Sequence, residues 1–245
     1  MPNWVYGNYV IKGSKKNILN FLNEGLKNSK CKKQKTCREA FDMLVENAKT
    51  MEALCGVERY DEKGNPIKGG IGYSHKLSLD TFLPIPKTFI EYDTTNYDKY
   101  FKNAAKYQKR RYGCIGWYDY GLMYRGTKWN AEIYGFDLFE DCETATIRFT
   151  TNTAWSYPHE WLESIKTMFD VDVLLYVREE SGYFHFYGQL DVEQYDIEGI
   201  ENKEDEPQKE DFENEDDFYE QHDLWYERQC EKMEECFEKY VNKSQ

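Results

Sequence analysis

Thr144-Ala145-Thr146-Ile147-Arg148-Phe149-Thr150-Thr151-Asn152-Thr153-Ala154-Trp155-Ser156-Tyr157-Pro158 decides the fold, together with the run from His159 to Phe169 that follows it. Ala145, Ile147 and Phe149 alternate strictly with Thr144, Thr146 and Arg148, the period of a half-buried strand. Past Pro158 the period changes. Trp161, Leu162, Ile165, Met168 and Phe169 recur at helical spacing, and Pro158 with Glu160 suits a first helical turn. Strand then helix, joined by a Trp-bearing corner, predicts an α+β domain.

A second Trp stretch lies upstream, Arg125-Gly126-Thr127-Lys128-Trp129-Asn130-Ala131. It leads into Ala131–Phe136, where Ala131, Ile133 and Gly135 alternate with Glu132, Tyr134 and Phe136. The short polar connection 137–143 predicts an antiparallel hairpin with the strand at 144. Trp129 and Trp155 then fall at the same end of the sheet.

Around this centre the other elements are placed by the same reasoning. Residues 4–12 carry bulky side chains on both parities, which predicts a central strand or one covered on both faces. Ser14 is a helix N-cap for 15–27, with Ile18, Phe21, Leu22 and Leu26 in one stripe. Thr36 and Glu39 form a capping box before a helix over 36–54. Residues 61–72 read as a loop and 77–82 as a strand. A helix over 98–112 ends at Gly113 as a left-handed cap, and 117–124 is a short aromatic helix. Val171, Val173, Leu175 and Val177 form one face of a strand. Phe184, Phe186, Leu190 and Val192 form one face of the next, opposite His185, Tyr187, Gln189 and Asp191. One apolar and one polar sheet face predict an antiparallel sheet with helices mainly on one face. The expected organisation is an α+β domain over 1–198 with a helical and loop insertion near 29–76, an acidic linker over 199–216, and an amphipathic C-terminal helix over 217–245.

Charge is unevenly placed. The net charge is −13, and residues 201–245 hold 17 Asp/Glu against 6 Lys/Arg, so the rest of the chain is nearly neutral. That balance disfavours direct nucleic-acid binding, which needs a concentrated basic face. The one basic cluster, Lys27, Lys30, Lys32, Lys33, Lys35 and Arg38, has no interleaved aromatic and reads as a solvated loop. No apolar run reaches the ~20 residues of a membrane span, and Met1-Pro2-Asn3-Trp4 lacks the features of a signal peptide. Seven cysteines without a Cys-x-x-Cys read as reduced thiols of a cytoplasmic protein, and no metal or other cofactor is expected. Twenty-one tyrosines supply recognition surface at low entropy cost, although an AT-rich coding sequence gives the same bias.

The sequence holds no catalytic kit. The four histidines stand in no metal-ligand spacing, and neither Gly-x-Ser-x-Gly nor Gly-x-Gly-x-x-Gly occurs. The best polar cluster is His185, Tyr187 and Asp191 on one strand face, a pattern an exposed strand shows without any function.

Pro2-Asn3-Trp4, Leu83-Pro84-Ile85-Pro86, Gly126-Thr127-Lys128-Trp129-Asn130 and Thr153-Ala154-Trp155-Ser156-Tyr157-Pro158 occur in order over about residues 2 to 195. This set resembles the YubB-type ferredoxin-like domain family of plasmid- and phage-encoded proteins. Val5 and Tyr157 depart from the family's usual Cys and Pro. The resemblance implies a ferredoxin-like sheet and a mobile-element origin, and it implies no activity. Three functions follow as expectations. The first is a non-enzymatic interaction protein that binds a host protein, such as a defence component in the manner of an anti-CRISPR, using Phe218, Trp225, Met233, Phe237 and Tyr240 of the C-terminal helix. The second is a small-ligand or nucleotide binder, or an enzyme, with a pocket at Lys128, Trp129, Asn130, Trp155 and Ser156; the competing reading makes Trp129 and Trp155 core plugs. The third is a single-stranded nucleic-acid binder that stacks bases on Tyr176 and Tyr187. The sequence leaves open the oligomeric state and whether the C-terminal helix docks on its own domain.

Overall fold

The computed structural model describes residues 3–28, 78–79, 85–91, 102–140, 143–182, 184–196 and 205–243. The basic cluster beyond Lys27, the helix expected over 36–54 and the loop over 61–72 lie outside the described residues. In chain order the elements are β1 (Trp4–Ser14), α1 (Lys15–Asn28), α2 (Lys87–Glu91), α3 (Lys102–Tyr112), α4 (Gly116–Arg125), β2 (Ile133–Glu140) and β3 (Thr144–Ala154). They continue with α5 (His159–Phe169), β4 (Asp172–Glu179), β5 (His185–Gln189), β6 (Glu193–Asp196) and α6 (Glu215–Lys243).

The six strands form one sheet in the order β2-β3-β1-β4-β5-β6, antiparallel throughout. The first four make the split βαβ arrangement of a ferredoxin-like fold: β2 and β3 are a hairpin, and helices connect β1 to β2 and β3 to β4. The strands β5 and β6 extend the sheet beyond β4.

Alternation places Val5, Tyr9 and Ile11 of β1, Ala145, Ile147 and Phe149 of β3, and Val173, Leu175 and Val177 of β4 on one face. Ile18, Phe21 and Leu22 of α1 and Trp161, Leu162 and Ile165 of α5 close the core over them. Ser14 caps α1 as its sequence predicts, its hydroxyl accepting the Asn17 N–H at 3.2 Å. Gly113 ends α3 at φ 77°.

Three expectations change. Residues 184–192 are not one strand: Asp191 is left-handed (φ 62°), a turn falls at 190–192, and Val192 is exposed while β6 pairs back on β5. Met168 is exposed, because Phe169 takes the core position at the end of α5. Within the described part of 77–82, Ser78 makes an isolated bridge to Glu132, and Leu79 donates to Ala131 O at 3.0 Å. Lastly, the second face of the sheet is not a free polar surface. Val10, Leu174 and Tyr176 form a second core there with Met233, Phe237 and Val241 of α6. The acidic segment before α6 contains a 3-10 turn at Lys209–Asp211, and α6 begins at Glu215.

Candidate functional site

The two Trp stretches meet. Gly126 caps α4 in the left-handed region (φ 75°) and presses against the start of α5. The Ser156 hydroxyl donates to Gly126 O, Thr127 donates to Ala154 O at 3.1 Å, and Thr153 donates to Ser156 O at 2.7 Å. Thr127 and Thr153 are buried, so these bonds are made away from water and fix the corner. Trp155 sits at φ 74°, and its N–H bonds Asn3 O at 2.9 Å, which ties the corner to the start of β1.

The Trp side chains themselves face solvent. Trp129 is 38 % and Trp155 53 % exposed, so neither is a core plug; Trp161, fully buried with its Nε1–H on Leu79 O at 3.0 Å, fills that role. Trp129 lies 6.3 Å from Trp4 between ring centres, and the Lys128 ammonium stands 4.9 Å from the Trp129 ring and 5.4 Å from that of Tyr118. Two residues along β1, Tyr6 is 37 % exposed and carries the Arg178 guanidinium 5.1 Å above its ring. Lys128 and Trp129 therefore belong to an exposed aromatic shelf with two cations, and the exposed Trp155 follows β3 at the same end of the sheet. Asn130 is exposed beside it, and Ser156 turns inward as a positioning residue. Tyr6 and Arg178 are not among the site residues expected from the sequence, and Trp4 enters there only through Pro2-Asn3-Trp4 and the strand. The signal was the double parity of β1, but parity does not say which end of a face stays uncovered.

The family comparison agrees with the fold. Residues 128–222 match a family described as a ferredoxin-like domain in Api92-like protein. The match begins at Lys128 and ends inside α6. A crystal structure of the protein Api92 from Yersinia pseudotuberculosis matches at 9 % identity, covering 80 % of this chain and 98 % of its own, with a TM-score of 0.35. No curated protein matches.

The C-terminal part of the α6 stripe packs on its own sheet, while Phe218 and Trp225 meet His222 of the same helix. Met233 and Phe237 are fully buried and Trp225 nearly so; Phe218 and Tyr240 are half-buried. Phe237 stacks on Tyr176 at 6.1 Å, Arg148 pairs with Glu238, and Tyr240 donates to Glu193 at 2.5 Å. Hydrogen bonds from Tyr195 and Tyr240 hold the Glu193 carboxyl below its ordinary range. The same helix covers Tyr176 and packs Tyr240 against Tyr187 at 5.9 Å, so this pair is no open stacking platform.

The strand-face cluster also dissolves. His185 is buried, its Nε2 3.0 Å from the Tyr176 hydroxyl, and burial, with Arg178 second, pulls its pKa down to about 4. The turn at 190–192 carries Asp191 away from it, to His159 (4.0 Å) and Lys166 (3.3 Å). Among the described residues, His159, Glu163 and Asp191 are the group whose ligand atoms gather closely, and the Lys166 ammonium already sits on Asp191. Sequence spacing could not show this group, since His159 and Asp191 come from different elements. Cys114, Cys230 and Cys236 are free thiols. Among the described residues, no helix is long and apolar enough to cross a membrane.

Proposed function

We propose that this chain is a non-enzymatic interaction protein of a phage or other mobile element, of the YubB-type ferredoxin-like family. It docks on a host protein, a defence or nucleic-acid-binding component, through the shelf of Trp4, Tyr6, Lys128 and Trp129, with Trp155 at the same end of the sheet. The observation that carries this reading is the grouping of four large aromatics, each 37–53 % exposed, at one end of the sheet on a corner held by buried hydrogen bonds. Isolated exposed aromatics are ordinary, but a rigid cluster with adjoining cations is the composition of an interface centre. The acidic load adds to it: α6 exposes Glu227, Glu231, Glu234 and Glu235, a surface complementary to a basic nucleic-acid-binding protein. The test is quantitative capture from host lysate with the full chain and with a Trp4→Ala/Trp129→Ala variant. A discrete host protein held by the first, lost by the second and kept by a Tyr107→Ala control is the expected result. Equal capture by all three sinks the proposal.

The Lys128 ammonium between two aromatic rings favours one second reading, a nucleotide whose base stacks on the shelf and whose phosphate meets Lys128. Thermal-shift screening with nucleotides and cyclic nucleotides reads it out. Stabilisation abolished by Lys128→Ala supports it, and a flat screen removes it.

A further inference from the structure

A separate cleft of about 820 Å³ opens between the β4–β5 turn, β6 and the N-terminal half of α6. That volume is in the range of small-ligand sites, roughly 300–1,000 Å³. Its walls are aromatic, formed by Phe184, Phe186, Trp225 and Tyr226. Among the described residues its charged lining is acidic: Glu180, Asp196, Glu206 and Asp223, with no Lys or Arg beside them. His222 also lines it, its Nε2 3.3 Å from Glu206.

One buried polar atom in this lining has no partner. His185 is 6 % exposed, its Nε2 faces the Tyr176 hydroxyl at 3.0 Å, and its Nδ1 makes no hydrogen bond. A buried polar atom without a partner is costly, and a ligand group that satisfied it would recover that cost. In the tautomer that donates Nε2–H to Tyr176, Nδ1 is an acceptor awaiting a donor. The nearest guanidinium, Arg178, is engaged elsewhere, 3.3 Å from Cys230 Sγ and above the Tyr6 ring.

We propose that this cleft binds an organic cation, an ammonium or guanidinium head on an apolar stem. The carboxylates supply the opposite charge, the aromatic faces attract the cation and cover the stem, and Nδ1 of His185 accepts one of its N–H groups. The same lining repels phosphates and carboxylates. A single metal ion does not fit. Among the described residues, no three of these ligand groups have donor atoms within 4.8 Å of one another, whereas His159, Glu163 and Asp191 do. The cation has two sources, a free small molecule or an Arg or Lys side chain of a bound protein. The site does not depend on the shelf, although the Glu180 N–H on Trp4 O at 2.9 Å puts the two surfaces side by side.

Calorimetry on the full chain tests this with three probes: agmatine, the blocked tripeptide acetyl-Gly-Arg-Gly-amide, and neutral n-butylurea. The expected result is binding of agmatine or the tripeptide, weaker binding of n-butylurea, and a loss of affinity of about tenfold or more in Glu206→Gln/Asp223→Asn. Thermal melting of that variant checks that it folds. Agmatine binding without the tripeptide assigns a free cation, and the reverse assigns a protein side chain. In 15N-histidine spectra the Nδ1 resonance of His185 moves on binding. Trp4→Ala/Trp129→Ala keeps the affinity, so failure of the shelf reading leaves this one standing. No binding of either cation at millimolar concentration, equal binding of n-butylurea, or an unchanged affinity in the charge-removed variant overturns the proposal.

Discussion

Gly126 shows what a single residue settles. Its φ of 75° ends α4 and allows the close approach of α5, where an added Cβ would lie 2.9 Å from His159 N. A side chain here meets backbone and a left-handed conformation together. Gly126→Ala is therefore expected to lower stability by about 1–3 kcal/mol, read from the urea midpoint at constant m-value. The neighbouring residues were legible as distinctive, because Trp among small and polar residues is unusual at an element border. Their exposure was not legible. Whether a Trp at a strand end plugs a core or faces water depends on the chain segments that pass over it, and those are distant in sequence.

At the scale of elements, the amphipathic stripe on α6 was readable, and its docking surface was not. Helical spacing gave Trp225, Met233, Phe237 and Tyr240 as one side of a helix; nothing local says that Val10, Leu174 and Tyr176 receive it. The stripe contains a flaw. Gln229 is fully buried, and neither of its amide atoms has a hydrogen-bond partner. Gln229→Met keeps the volume and removes the unpartnered amide. It is expected to stabilise the protein by about 1 kcal/mol, seen as a rise in melting temperature; a fall would mean that Gln229 serves the docked helix in some other way. The break at 190–192 was likewise hidden, because Leu190 and Val192 continue the alternation of β5 and only the left-handed Asp191 interrupts it.

Across the whole molecule, stability follows proton uptake, and His185 gives that dependence a sign. Its imidazole titrates near 6.5 when unfolded and at about 4 in the fold. Between those values the unfolded chain binds a proton that the native chain does not. His185 therefore contributes its full share of stability above pH 6.5 and loses it as pH falls toward 4, a total on the order of 2 kcal/mol. Urea midpoints measured over that window are expected to fall less steeply in His185→Gln than in the wild type. The acidic residues titrate in both proteins, so the difference in slope isolates the histidine, and identical slopes would reject the assignment.

The sequence by itself determined the kinds of element, nearly all of the described ones in order, and the uneven charge. These follow from local physics: alternation with period two, stripes with period 3.6, caps, turns and composition. The tertiary structure alone decided the strand order β2-β3-β1-β4-β5-β6, the covering of the second face by α6, the open shelf at Trp4 and Trp129, and the cleft beside His185. Each of those is a contact between residues far apart in the chain. Burial and solvent exposure are properties of what packs against a side chain, and the residue's own neighbours in sequence do not specify it.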